Sequence, residues 1–167
     1  MANRIAQLEN VHTIAKKKFT LVYPSNLSGP IILKSKIFQN LAKKISTHID
    51  VSNTSIQLLN KEELIDLLYE VHIHSAVCIF ENIEDINLET IHQYTKSLFR
   101  RKNADYGDAF AIYGPIGVLI RMQDKISRYI NLYTSTTIEV HDESLVDTLY
   151  DLNNYSAMAI MLLYEKK

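Results

Sequence analysis

The placement of glycine and proline constrains this chain more than any other feature. Pro24, Gly29 and Pro30 punctuate an early segment, YPSNLSGP (23–30). From Ile31 to Tyr106 neither residue occurs. Gly107, Gly114, Pro115 and Gly117 then crowd into a short window, and after Gly117 there are none. These two residues are the strongest helix punctuators, so two long stretches without them predict a mainly α fold, a helical bundle. A chain of 167 residues suits one domain, or one domain with a substantial extension, and 47% hydrophobic residues suffice for a core.

The apolar pattern fills in the elements. Residues 3–17 are compatible with a short helix, and KFTLVYP (18–24) reads as a strand or extended arm. In 33–47, Ile37, Leu41 and Ile45 recur every four residues with Phe38 beside them, an amphipathic helix. STHIDVSNTS (46–55) reads as a polar connection. Lys61 to Val71 is helical, with Leu64, Leu67, Leu68 and Val71 on one face. VHIHSAVCIFE (71–81) is ambiguous: its Val, Ile and Phe favour a strand, and the same residues also continue the helix. Residues 1–84 therefore read as an N-terminal extension, either helical or holding a small α/β layer.

Residues 85–167 read as a helical domain. Asn87 can cap a helix through its side-chain oxygen, with Leu88, Ile91, Tyr94 and Leu98 as its apolar stripe. That helix is expected to end near RRKN (100–103), with NADYGDAFAIYGP as a loop. Gly114-Pro115 opens the next helix, which runs to about Leu132. TSTTIEVH is a linker. Asp142 is the expected cap of the last helix, which runs to about Tyr164, with Glu143 in its first turn.

Charge and cysteine content exclude several classes. The net charge is -1 and both signs are mixed in both halves, so nothing tracks a phosphate backbone and direct nucleic-acid binding is not expected. No apolar run approaches the roughly 20 residues of a membrane span. The N-terminal segment lacks the apolar centre of a signal peptide. A single cysteine, Cys78, fits a reduced cytoplasmic setting. There is no GxxxxGK[ST] and no GxGxxG, so P-loop and Rossmann readings lack support.

Three clusters carry candidate chemistry. In KNADYGD (102–108), Lys102 suits a phosphate, Tyr106 a base, and Gly107 a close backbone approach; the same residues also make an ordinary helix cap and turn. In RMQDKISR (121–128), Arg121, Asp124, Lys125 and Arg128 share one helix face. Such a face suits a polyphosphate or simply faces water with an i,i+4 pair. In DESLVDTLYD (142–151), Glu143, Asp147 and Asp151 form an acidic stripe of hard oxygen ligands suited to Mg2+. Leu145, Val146, Leu149 and Leu152 occupy the other side, so the stripe can equally be a solvated face. Tyr150, Met158 and Met161 project near the acids, and buried carboxylates need cations or a metal. His72, His74 and Cys78 can ligate a metal, but their spacing fits no standard zinc pattern.

Taken in order, the three clusters resemble the nucleotide-modification-associated domain of the first type, a family widespread in phages and other viruses. The matching residues are Lys102, Asn103, Asp105, Tyr106 and Gly107, then Gly117, Arg121, Asp124, Lys125 and Arg128, then Asp142, Glu143, Asp147, Asp151 and Tyr155. The resemblance covers about half the chain and none of residues 1–84. It implies a role with modified nucleotides. The helical pattern is also similar to the all-α MazG-like nucleoside triphosphate pyrophosphohydrolases, which hold Mg2+ with acids on neighbouring helices. This chain departs from that second pattern. Its acids sit at i, i+4 and i+8, and Glu62, Glu63 and Asp66 lie too far upstream to form the usual first pair.

The resemblance thus implies a Mg2+-dependent (deoxy)nucleoside triphosphate pyrophosphohydrolase, cytoplasmic in a cell or in a viral host. Glu143, Asp147, Asp151 and Asp124 would hold the metal, with Glu143 and Asp147 catalytic. Lys102, Arg121, Lys125 and Arg128 would neutralise phosphates, while Asn103, Asp105 and Tyr106 would contact the nucleoside. The alternatives are a non-catalytic nucleotide-binding module and a helical interaction domain. The strongly apolar helices point to a homo-oligomer.

Overall fold

The computed structural model describes residues 3–22, 32–52, 55–134 and 144–165. The elements are α1 (Arg4–Val22), α2 (Ile32–Thr47), β1 (Ile49–Val51), β2 (Ile56–Leu58), α3 (Lys61–Asn82), α4 (Leu88–Tyr106), a 3-10 turn (Ala109–Ala111), α5 (Gly114–Thr134) and α6 (Leu145–Tyr164). This is a mainly α bundle with one two-stranded antiparallel hairpin, in which Asp50 faces Gln57. None of the described helices is long and apolar enough to cross a membrane.

Two helices form the centre. α3 starts at Asn60, whose side chain accepts from the Glu63 backbone N–H, with Glu62 and Glu63 at the positive end of the helix dipole. Every residue from Val71 to Ile79 is buried. That resolves the ambiguous VHIHSAVCIFE: it is helix, wrapped on several sides by α1, α2 and α6. Burial on all faces erases the polar stripe that would have marked a helix, so β-branched residues there mimic a strand. α6 is the second central helix, buried almost continuously from Thr148 to Leu163 and packed mainly against α3 and α5. One buried cluster runs from Leu8 in α1 to Leu163 in α6. Each fully buried large apolar side chain in it contributes roughly 1.5–3 kcal/mol.

Several boundaries differ from the sequence reading. Lys18–Val22 is the end of α1, not a strand or arm, because Phe19 packs on Phe80 and Lys18 reaches Asp66 on α3 at 3.1 Å. Tyr23 and Pro24 lie outside the described residues, as does the YPSNLSGP segment. The polar connection 46–55 contains β1 of the hairpin. α4 does not stop near residues 100–103. It continues to Tyr106 and ends where Gly107 takes φ 60°. NADY is therefore the last helical turn rather than a loop. α5 opens at Gly114 (φ 63°) and Pro115, as expected. The cap of α6 is Ser144, not Asp142: its hydroxyl accepts from the Asp147 N–H while the Asp147 carboxylate accepts from the Ser144 N–H, a capping box. Asp142, Glu143 and most of the TSTTIEVH linker lie outside the described residues.

Candidate functional site

The C-terminal turns of α4, the 3-10 turn, α5 and the middle of α6 enclose a cavity of about 350 Å³. Its chemistry comes from all three sequence clusters. Lys102, Asn103, Tyr106 and Gly107 come from the first, Arg121 from the second and Asp151 from the third, with Tyr155 one helical turn beyond it. On α6, Asp151, Asn154, Tyr155 and Met158 recur at i, i+3, i+4 and i+7, so one helical face lines the wall.

The electrostatic centre is Asp151. Its carboxylate is largely buried and is held on both oxygens, by Lys102 Nζ at 2.8 Å and by Lys125 Nζ at 2.9 Å. Lys102 is half-exposed and Lys125 mostly buried. Two ammoniums on one carboxylate leave a net positive charge at the cavity wall. Arg121 is exposed at the rim and adds another. Much of the remaining lining is aromatic, and on α4 Phe99 and Tyr106 share one helical face with Lys102. Phe99 and Phe110 meet edge to face at 5.7 Å, and Tyr106 presents a ring that is 74% exposed.

A strut from α1 holds the Gly107 corner. Asn103 Nδ2 donates to Asp108 Oδ1 at 3.2 Å, and Arg4 Nε donates to Asp108 Oδ2 at 3.1 Å. Arg4 also pairs with Glu165 and lies over the Phe110 ring, 5.2 Å from its centroid. Asn154 ties α6 to α4 by donating to the Thr95 carbonyl at 3.1 Å. Sequence reading missed Arg4, Asp108, Phe99 and Phe110 at this site. It also did not name Asn154, although that residue falls in phase with Asp151 and Tyr155 on α6.

Other expected residues stand elsewhere. Asp105 and Asp124 are exposed and do not line the cavity. Arg128 lies one helical turn beyond Lys125, half-buried and also off the cavity wall. Asp147 is exposed, with its carboxylate engaged by Ser144 N–H at 2.9 Å and Ser144 Oγ at 2.8 Å. Glu143 is outside the described residues. Among the described residues no three carboxylates come close enough to hold one ion. Asp151 is paired with two lysines, and Asp147 accepts the hydrogen bonds of the α6 cap. The His72, His74, Cys78 grouping also separates. His74 packs against Phe38, ring centroids 4.6 Å apart, with Cys78 Sγ 3.9 Å from its Nε2, while His72 turns toward His12 and His92.

No curated protein and no solved structure matches the chain. Residues 102–163, the stretch that runs from Lys102 through α5 to the end of α6 and supplies most of the cavity wall, match the model of the family described as nucleotide modification associated domain 1.

Proposed function

We propose that the α4–α5–α6 cavity binds a nucleotide, with its phosphates against Lys102 and Arg121 and its base against the aromatic rings. The observation that carries this reading is the convergence of residues from three separate sequence clusters on one cavity whose lining combines cations with aromatic rings. Its volume of about 350 Å³ lies within the usual range of small-molecule sites. Lys102 is placed for exchange. When a phosphate draws it away, Lys125 still neutralises Asp151, so binding strands no buried charge. Arg121 supplies the forked donors that match phosphate oxygens. Tyr106 presents a flat ring for stacking.

The experiment is a thermal-shift and calorimetric screen of the full chain against ribo- and deoxynucleoside mono-, di- and triphosphates, modified bases included, with and without Mg2+. Products are resolved by anion-exchange chromatography. Stabilisation by a nucleotide, lost in Lys102→Ala and Arg121→Ala, supports the binding reading. Mg2+-dependent release of monophosphate and pyrophosphate replaces it with the pyrophosphohydrolase reading. No response to any nucleotide overturns both and leaves a helical interaction domain.

A further inference from the structure

At the other end of α4, three histidines from three helices meet in the interior. His12 comes from the middle of α1, His72 from α3 and His92 from the second turn of α4, and all three are buried. One ring nitrogen of each lies within 4.8 Å of the others. His72 Nε2 faces His92 Nε2 at 3.3 Å. The His12 ring stacks on that of His92, with centroids 4.0 Å apart.

The orientation of His72 is fixed from behind. Its Nδ1 lies 2.9 Å from the Asn153 carbonyl oxygen. A carbonyl only accepts, so Nδ1 carries the proton and Nε2 turns its lone pair toward the cluster. Metal-ligating imidazoles are oriented in the same way, by a hydrogen bond from the other ring nitrogen. His12 Nε2 is buried without any hydrogen-bond partner. A buried polar atom in that state is costly and asks for a ligand. The spacing of the other two is also informative. Two imidazole nitrogens bound to one tetrahedral zinc at about 2.05 Å stand about 3.3 Å apart.

Protonation state points the same way. Burial, the largest cause in each case, pushes His12 down to about 2, His72 to about 3 and His92 to about 4. Near neutral pH all three rings are uncharged and keep a lone pair for a cation. Access exists as well. His12 and His92 line a second cavity, of about 370 Å³, that carries Glu9, Lys16, Glu89 and Lys96. Both lysines there are paired, Lys96 with Glu9 at 3.1 Å and Lys16 with Glu89 at 3.7 Å, so the mouth bears no excess of positive charge.

We propose that His12, His72 and His92 bind one divalent transition-metal ion of the zinc class. Three nitrogen donors and no carboxylate select such an ion over Mg2+ or Ca2+, which take oxygen ligands. Loading tilts the His12 ring off the face of His92, because parallel stacked rings cannot both aim a lone pair at one centre. The fourth coordination position then faces the second cavity, where a water or a small anion completes the tetrahedron.

The test needs no nucleotide. The full chain is stripped with a chelator, desalted and titrated with Co2+, then Zn2+. One equivalent of Co2+ should give the intense visible absorption of a tetrahedral site, Zn2+ should displace it, and the melting temperature should rise with Zn2+ but not with Mg2+. His12→Ala and His92→Gln should each weaken binding by about 100-fold or more. His48→Ala should leave it unchanged, since that ring is engaged elsewhere, with the Lys44 carbonyl and Glu63. Should a variant fail to fold by circular dichroism, the wild-type stoichiometry and spectrum still decide. Absence of a tetrahedral Co2+ spectrum and of a Zn2+ shift in wild type overturns the proposal, and so does binding that survives both folded variants. The cluster is then a neutral polar contact between helices.

Discussion

The two ends of α4 treat buried polarity in opposite ways. At the C-terminal end, Asp151 keeps its charge inside the fold because Lys102 and Lys125 each take one of its oxygens. At the N-terminal end, His12, His72 and His92 give up charge altogether and pack as neutral rings. Both sites lean on the same turn of α6, where Asp151 and Asn154 line one cavity and the Asn153 carbonyl holds His72. The difference shows how ligand class follows from burial. A charged pair with one exposed member exchanges ions with solvent and favours an anion. A neutral cluster of lone pairs favours a metal.

The largest expected effect separates the two sites by pH. In chelator, each cluster histidine has a folded-state pKa below the ordinary 6.5. It therefore contributes stability that is complete above pH 6.5 and is lost as pH falls toward about 4, where His92 first takes a proton in the folded state. Lys16 and Lys96, near the rings, add to the depression. The loss approaches about 1.4 kcal/mol per pH unit for each histidine, so ~4 kcal/mol over one unit for three is an upper bound. Urea denaturation at pH 7 and 5.5 measures it. His92→Gln should flatten the slope by one proton, and an unchanged slope would show that the cluster is not neutral as described.

Asp151→Ala comes next, at about 3 kcal/mol of stability at pH 7. Most of that cost comes from Lys125, which is 20% exposed and loses its carboxylate partner; Lys102, 51% exposed, turns to water. A loss below about 1 kcal/mol in urea denaturation would place this pair among surface ion pairs and weaken the contrast with the histidines. Asn153→Ala should cost about 2 kcal/mol, because its amide donates to the His72 carbonyl at 3.0 Å and to Ser75 Oγ at 3.2 Å, joining α6 to α3. The same variant, measured by Co2+ titration, shows whether loosening that joint disturbs the metal site.

The two sites also differ in how much of each can be read from sequence. Lys102, Tyr106, Arg121 and Asp151 fall in short motifs that the sequence singles out, but the packing of α4, α5 and α6 brings them to one cavity, and no spacing within a segment encodes that. Other departures at this cavity are local. Asp147 fits an acidic stripe by spacing, yet sits at the third helical position, where a capping box claims its carboxylate. The Phe110 and Arg4 contributions depend on how α1 crosses the Gly107 corner, which no periodicity encodes. The histidine cluster was not legible in the same way. Its members are scattered over α1, α3 and α4, and the visible pair His72 and His74 points to opposite sides of α3, as residues two apart on a helix must. The fold followed the same division. Breaker-free stretches announced the helices, whereas the strand-like run in α3 was decided by packing on all its faces.

Tyr106→Ala carries the smallest expected change in stability and the sharpest test of the anion-site half of the comparison. The ring is 74% exposed and lies at the last position of α4, so its removal should shift stability by no more than about 0.5 kcal/mol. If a base stacks on it, nucleotide affinity should fall by ~1–3 kcal/mol, roughly 5- to 150-fold, with phosphate-only ligands such as pyrophosphate unaffected. Lys102→Ala should show the converse, weakening pyrophosphate and nucleotide alike. Isothermal titration of both variants with both ligands separates the cationic contribution from the aromatic one. Equal losses for pyrophosphate and nucleotide in Tyr106→Ala would mean that this ring shapes the Gly107 corner rather than meeting a base. The aromatic contact would then fall to Tyr155 or Phe110.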